Sequence, residues 1–166
     1  MNKESIYKVC ARNDKVYVKI KDKASYINCA PLKSFLYEMF DEGNRLFVID
    51  FQNCSSMDST FLGILVGLAL QLRKSHDGGD LTLLNLIGRN LETVKNLGIH
   101  KIATVSSEVV SNSDELEGLK VKLKSDKAHP ELIYNAHRNL LDLNEKNSKI
   151  FKDVVNFLEQ KVEDSA

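Results

Sequence analysis

The chain of 166 residues has no tryptophan, only two prolines and only three cysteines. Cys10, Cys29 and Cys54 are odd in number and scattered, with no CxxC pair and no histidine at ligand spacing. That excludes a disulfide framework and a cysteine-built zinc site, and leaves three reduced thiols that read as small buried hydrophobes. Neither sign of charge is in excess, since 23 Lys and Arg stand against 23 Asp and Glu. No global field is available to attract nucleic acid or anionic lipid, so a nucleic-acid partner is not expected. The longest apolar run is about half of the roughly 20 residues a membrane span needs. The opening "MNKESIYKVCARNDK" has charges but no apolar targeting core. A cytoplasmic protein without a membrane span is the expectation. His76, His100, His129 and His137 fall in turns or on a polar helix, and no phosphate loop of the GxxxxGK[ST] type occurs. They read as surface histidines, and no catalytic residue, cofactor or metal is expected.

What is present is an alternation of strand and helix patterns. "SIYKVCAR" and "KVYVKI" alternate with period two around the turn pair Asn13-Asp14, which predicts a hairpin. "KDKASYINCAPL" reads as a loop. Leu32, Phe35, Leu36, Met39 and Phe40 follow Pro31 at helical spacing, and the pattern stops at Gly43. "LFVIDF" is a short, continuous run of the kind covered on both faces of a sheet. Residues 61–73 are long enough for a helix, and Asp77-Gly78-Gly79 breaks the chain before the buried strand "LTLLNL". Leu91, Val94 and Leu97 predict a short helix closed by Gly98, and "KIATV" a last short strand. The order β-β-α-β-α-β-α-β implies a small α/β fold, a mixed sheet with parallel neighbours after the first hairpin.

Between the third strand pattern, "LFVIDF", and its helix lies "QNCSSMDSTFLG", where Ser55, Ser56, Ser59 and Thr60 crowd around Asp58. A helix cap explains one oxygen there. It does not explain five side chains, nor why the serine after the acid would lie in the first turn, exposed at the tip. "STFLGILVGLALQL" is apolar around its whole circumference, so the side away from the sheet is either covered by more protein or left as a patch beginning at the hydroxyls. Gly63 and Gly67 flatten one line of this helix at a cost of about 1 kcal/mol each, which close approach by sheet or partner would offset. Asp50, at the end of the preceding strand, raises a rival reading as a phosphoryl acceptor. That chemistry needs magnesium held by further carboxylates, which the neighbouring strands do not supply, so Asp50 reads as structural.

The stretch from "RLFVIDFQNCSSMDST" to "IHKIATV" resembles the STAS domain, and specifically the bacterial anti-sigma factor antagonists, over roughly residues 5–108. The shared features are a buried strand ending in Asp, an Asp-Ser-Ser/Thr motif opening a helix, and the pattern of the strand and short helix after it. The resemblance implies a STAS-like mixed sheet with helices and a regulatory binding module that is not an enzyme. It places the phosphoacceptor on Ser59, with Asp58, Thr60, Phe61, Leu62, Ser55 and Ser56 on the partner-binding surface. Phe61 stands where the family usually has glycine. The implied partners are an anti-sigma factor that is also a GHKL-type serine kinase, and a PP2C-type phosphatase. The implied role is phosphorylation-controlled partner switching in transcription regulation and signal transduction. Two alternatives are a STAS subunit binding a lipid or nucleotide in a transport-related complex, and an Asp-phosphorylated, receiver-like protein.

The organisation expected is a STAS domain over residues 1–108, a polar connector over 109–128 in which "LKVKL" could add an edge strand, and one amphipathic helix over 129–162. Ile133, Ala136, Leu140, Leu143, Asn147, Ile150, Val154 and Phe157 form its seam, at alternating spacings of three and four. Such a seam must be buried, either on the chain's own domain or against the same helix in a homodimer. Asn147 at a core position would fix register in a pair.

Overall fold

The two-residue turn at Asn13 and Asp14 puts both residues at positive φ, 53° and 66°. That left-handed twist matches the strands it joins, and it sets β1 (Tyr7–Arg12) antiparallel to β2 (Lys15–Ala24). The computed structural model describes residues 5–108, 117–119 and 127–165. Pro31 lies in the first turn of α1 (Ala30–Asp41), which buries Leu32 and Leu36. The chain then enters β3 (Leu46–Met57), parallel to β2, and α2 (Ser59–Lys74) follows at once. Next come β4 (Asp80–Leu84), α3 (Gly88–Asn96) and β5 (Thr104–Ser106), each strand parallel to the one before it in the sheet. β6 (Glu117–Leu119) pairs antiparallel with β1. The sheet order is β5-β4-β3-β2-β1-β6, the mixed α/β sheet expected, with the parallel strands together and the hairpin beside them.

Three boundaries differ from expectation. β3 does not stop at Phe51: it continues through "QNCSSM", pairing Asp22 with Cys54 and Ala24 with Met57. Register shifts between Lys19 and Lys21 and between Asp22 and Lys23 interrupt the ladder along this extension, and β2 correspondingly takes in the start of the predicted loop. "KIATV" is mostly not strand, because Gly98 at φ 80° leads into a 3-10 turn at Ile99–Lys101 before β5. The added edge strand lies at 117–119, and the rest of "LKVKL" lies outside the described residues.

The long C-terminal helix expected is present, but the segment is not one continuous helix from residue 129. It is two helices, α4 (Pro130–Leu143) and α5 (Glu145–Ser165), interrupted at Asn144, whose backbone is extended at φ −160°, ψ 168°. Asn144 Oδ1 accepts from the Asn147 backbone N–H at 2.8 Å, the bond of an N-terminal cap, so this residue ends one helix and starts the next. The break changes the buried register. In α4 Ala136 and Leu140 of the predicted seam are buried and Ile133 is partly buried, whereas in α5 the buried side chains are Asn147, Phe151 and Val155. Ile150, Val154 and Phe157 are 50%, 42% and 62% exposed.

α2 is buried all round because it is packed on two sides. It meets β4 and α1 within the domain, and α4 lies against it. Phe61, Leu65, Val66 and Leu68 have no exposed surface. At about 25 cal/mol per Å² of apolar surface, this helix is a main contributor to the core.

Candidate functional site

Asp58 is the residue that caps α2. Its Oδ1 accepts the Phe61 N–H at 2.9 Å and its Oδ2 accepts the Tyr26 N–H at 2.8 Å, while its own N–H donates to the Ala24 carbonyl. One carboxylate thus ties the helix start to the end of the β2–β3 ribbon. Charge-assisted bonds of this kind contribute about 1.5–3 kcal/mol each, and a negative charge at a helix N-terminus is further favoured by the dipole.

With the cap supplied, the Ser59 hydroxyl is not needed for it. Ser59 is the first residue of α2 and is half-buried. Its Oγ lies 2.7 Å from Nε2 of His137 on α4. His137 Nδ1 lies 2.7 Å from the carbonyl oxygen of Ile133, which can only accept, so Nδ1 carries the proton. In the neutral ring Nε2 then accepts from the Ser59 hydroxyl. The ring is 6% exposed and meets Phe151 of α5 edge-on, with centroids 5.9 Å apart. His137 is therefore not a surface histidine. The legible signal was its place four residues after Ile133 and three before Leu140, on the apolar stripe.

The other predicted contact residues are dispersed. Ser55 is exposed and Ser56 half-buried, both in the β3 extension. Thr60 is 4% exposed. Phe61 is fully buried and stacks edge-on against Phe51 with centroids 6.2 Å apart, and Leu62 is 2% exposed. In this conformation neither Phe61 nor Leu62 presents a surface to a partner.

α4 approaches α2 along the glycine line. A methyl group at Gly63 would overlap the Ala136 carbonyl, and at Gly67 it would meet the ends of the Asn139 and Tyr37 side chains, both at 2.6 Å. Asn139 Nδ2 donates to the Gly63 carbonyl at 3.1 Å. The interhelix turn is pinned to the end of α3, where the Leu97 carbonyl accepts from Asn144 Nδ2 at 3.0 Å and Asn147 Nδ2 at 2.8 Å. Asn147, expected at a seam, is fully buried and spent on its own chain. Between α1, α2 and α4 an open cleft of about 680 Å³ is lined in part by Lys33, Tyr37, His129, Arg138 and Asn139.

Asp50 is 3% exposed, and its Oδ1 accepts from the Gln52 N–H and from Asn85 Nδ2, both at 2.9 Å, which joins the middle of β3 to the residue just after β4. Among the described residues no group of three or more His, Cys, Asp and Glu side chains is arranged to hold a metal ion. Cys29 and Cys54 are buried, Cys10 is partly exposed, and all three are free thiols. Burial pushes the Cys29 thiol up to about 12, with the Asp58 charge adding to it, and the Cys54 thiol up to about 11. Among the described residues no helix is long and apolar enough to cross a membrane.

The family model of the STAS domain matches residues 7–112. Among solved structures, the chain is similar to the anti-sigma factor antagonist SpoIIAA in its unphosphorylated form, at 14% identity and TM-score 0.51, over 65% of this chain and 92% of that one. It is similar to an anti-sigma factor antagonist from Mycobacterium paratuberculosis at 16% identity and TM-score 0.52, over 60% and 83%. The Bacillus cell fate determinant SpoIIAA in the phosphorylated form matches at 14% identity and TM-score 0.54, over 65% and 96%. At such identities the likeness is one of fold. The curated proteins include no match.

Proposed function

The chain belongs to the STAS domain family, and from that premise we propose that it is an anti-sigma factor antagonist whose binding to an anti-sigma factor is controlled by phosphorylation of Ser59. The observation that carries the reading is the division of labour at the start of α2. Asp58 alone supplies the cap, so the neighbouring hydroxyl is left for other use at the one helix end where an anion is well tolerated. The partner is a GHKL-type serine kinase that is also the anti-sigma factor. Ser59 Oγ attacks the γ-phosphorus of ATP, the new O–P bond replaces the bond to ADP, and the hydroxyl proton passes to a base of the kinase. The product carries about −1.5 to −2 charges beside Asp58, which disfavours desolvation against a partner. A PP2C-type phosphatase restores the hydroxyl by hydrolysis. In this cycle the domain is substrate and binder rather than catalyst, and Ser55, Ser56, Asp58 and Thr60 border the contact surface, with Phe61 and Leu62 reached only after rearrangement.

Incubation with the GHKL-type kinase of its own genome and ATP, followed by peptide mapping, tests this. Acid-stable phosphate on Ser59, absent in Ser59→Ala, is expected. Acid-labile phosphate on Asp50 would instead establish the receiver-like alternative. The cleft beside Lys33 and Arg138 supports a second reading, a nucleotide-binding subunit. Calorimetric titration with ATP and GTP checks it, and absence of heat at millimolar nucleotide removes it. The exposed row Ile150, Val154 and Phe157 supports a homodimer through α5. Sedimentation should then show Val154→Lys lighter than the wild type at the same concentration.

A further inference from the structure

Residues 130–165 lie beyond the part of the chain that the family model matches, yet α4 rests on the helix that begins at Ser59 and α5 packs on α4. Among the contacts that join α4 to that helix are His137 on the Ser59 hydroxyl, Asn139 on the Gly63 carbonyl, and the Ala136 backbone against the bare face of Gly63. Phe151 of α5 backs the histidine ring, so both helices contribute. We propose that the α4–α5 hairpin is an intramolecular cover that competes with the protein partner for the Ser59 face, so that kinase and anti-sigma factor bind only when α4 has lifted off α2.

This inference rests on Ser59 as the phosphoacceptor and adds a gate to it. A phosphoryl donor cannot approach Ser59 Oγ along the direction the imidazole occupies at 2.7 Å. Nor can a partner helix use the Gly63 line while the Ala136 backbone fills it. The cover is held by features suited to reversal. Its contacts to α2 include two side-chain hydrogen bonds and a close approach over glycine, and its turn is pinned by two amides on the single Leu97 carbonyl, leaving Asn147 Oδ1 buried without a partner. An incompletely satisfied polar anchor lowers the cost of release. The apparent affinity for any partner is the intrinsic affinity reduced by the fraction of open molecules.

The test needs no kinase. In the 166-residue chain carrying Cys10→Ala, the substitution Ser59→Cys is alkylated with N-ethylmaleimide, and Ser55→Cys on the exposed β3 extension serves as reference. The thiol at position 59 should react about tenfold more slowly than the one at position 55, and adding Gly63→Ala should recover about tenfold by forcing α4 away. Adding His137→Ala removes a latch without a clash and should give a smaller increase, so the outcome does not depend on the first variant folding. Equal reactivity at 59 and 55, or no acceleration in either variant, would overturn the cover. With the kinase present, Gly63→Ala in the otherwise native chain should be phosphorylated faster than wild type. Faster alkylation with an unchanged phosphorylation rate refutes the gate while Ser59 stands. Absence of phosphate in both chains refutes the functional reading, and alkylation still decides the cover.

Discussion

Asp58 concentrates more structure than any neighbouring side chain, because two backbone donors from different elements end on one carboxylate. Asp58→Ala removes both bonds and should destabilise the protein by about 2 kcal/mol, whereas Asp58→Asn, which keeps an acceptor for one donor, should cost about half as much. Urea unfolding at neutral pH checks both. Burial also sets a pH dependence. The folded state raises Cys29 to about 12 and Cys54 to about 11 from an ordinary 9.0, and it raises Tyr7 as well, by burial first and nearby thiols second. These groups are neutral when protonated, so the unfolded chain loses their protons first as pH rises. The stability the two thiols contribute is fully present below pH 9.0 and is lost between there and about 12, while that from Tyr7 begins to fall only above its ordinary 10.0. Urea midpoints should therefore fall steadily above pH 9, less steeply in Cys29→Ala, and a pH-independent midpoint would contradict the burial of these groups.

At the scale of elements, the two glycines of α2 do different work although the sequence spaces them alike. Gly63 faces a backbone that cannot move alone, while Gly67 faces the flexible ends of Asn139 and Tyr37. Gly67→Ala should stay within about 1 kcal/mol of wild type, since gained helix propensity offsets the shifted side chains, whereas Gly63→Ala should lose about 1–3 kcal/mol to overpacking. Thermal unfolding of the pair measures the difference. The helix break at Asn144 is likewise a device of one side chain, capping α5 with Oδ1 and holding Leu97 with Nδ2. Its visible consequence is the change of buried row from Ala136 and Leu140, with Ile133 partly buried beside them, to Asn147, Phe151 and Val155.

Among the described residues the molecule is built on a six-stranded sheet whose two edge strands, β5 and β6, are three residues each. Short edges limit pairing with other chains. The hairpin is attached to this body chiefly through α2 and Leu97. Native-state hydrogen exchange should accordingly show the amides of α4 and α5 opening together at a lower free energy than those of β3 and α2. Exchange of all four at the global unfolding free energy would show the hairpin to be an inseparable part of the core.

Local sequence determined the strand and helix order through residue 106, because each signal is carried by neighbouring residues: the Asn13-Asp14 turn, the Pro31 start, the period of Leu32 to Phe40, the Gly98 stop. It also determined that α2 needed cover on two sides, since its apolar residues leave no polar face. What covers that second side was decided only in three dimensions. The seam of residues 133–157 reads as continuous when spacing alone is counted, yet Asn144 gains more by capping α5 and bonding the carbonyl of Leu97 just after α3, 47 residues away, than by continuing a helix. The pairing of Ser59 with His137 spans 78 residues. No local pattern encodes such a contact, because it exists only once α4 has docked along a line of glycines.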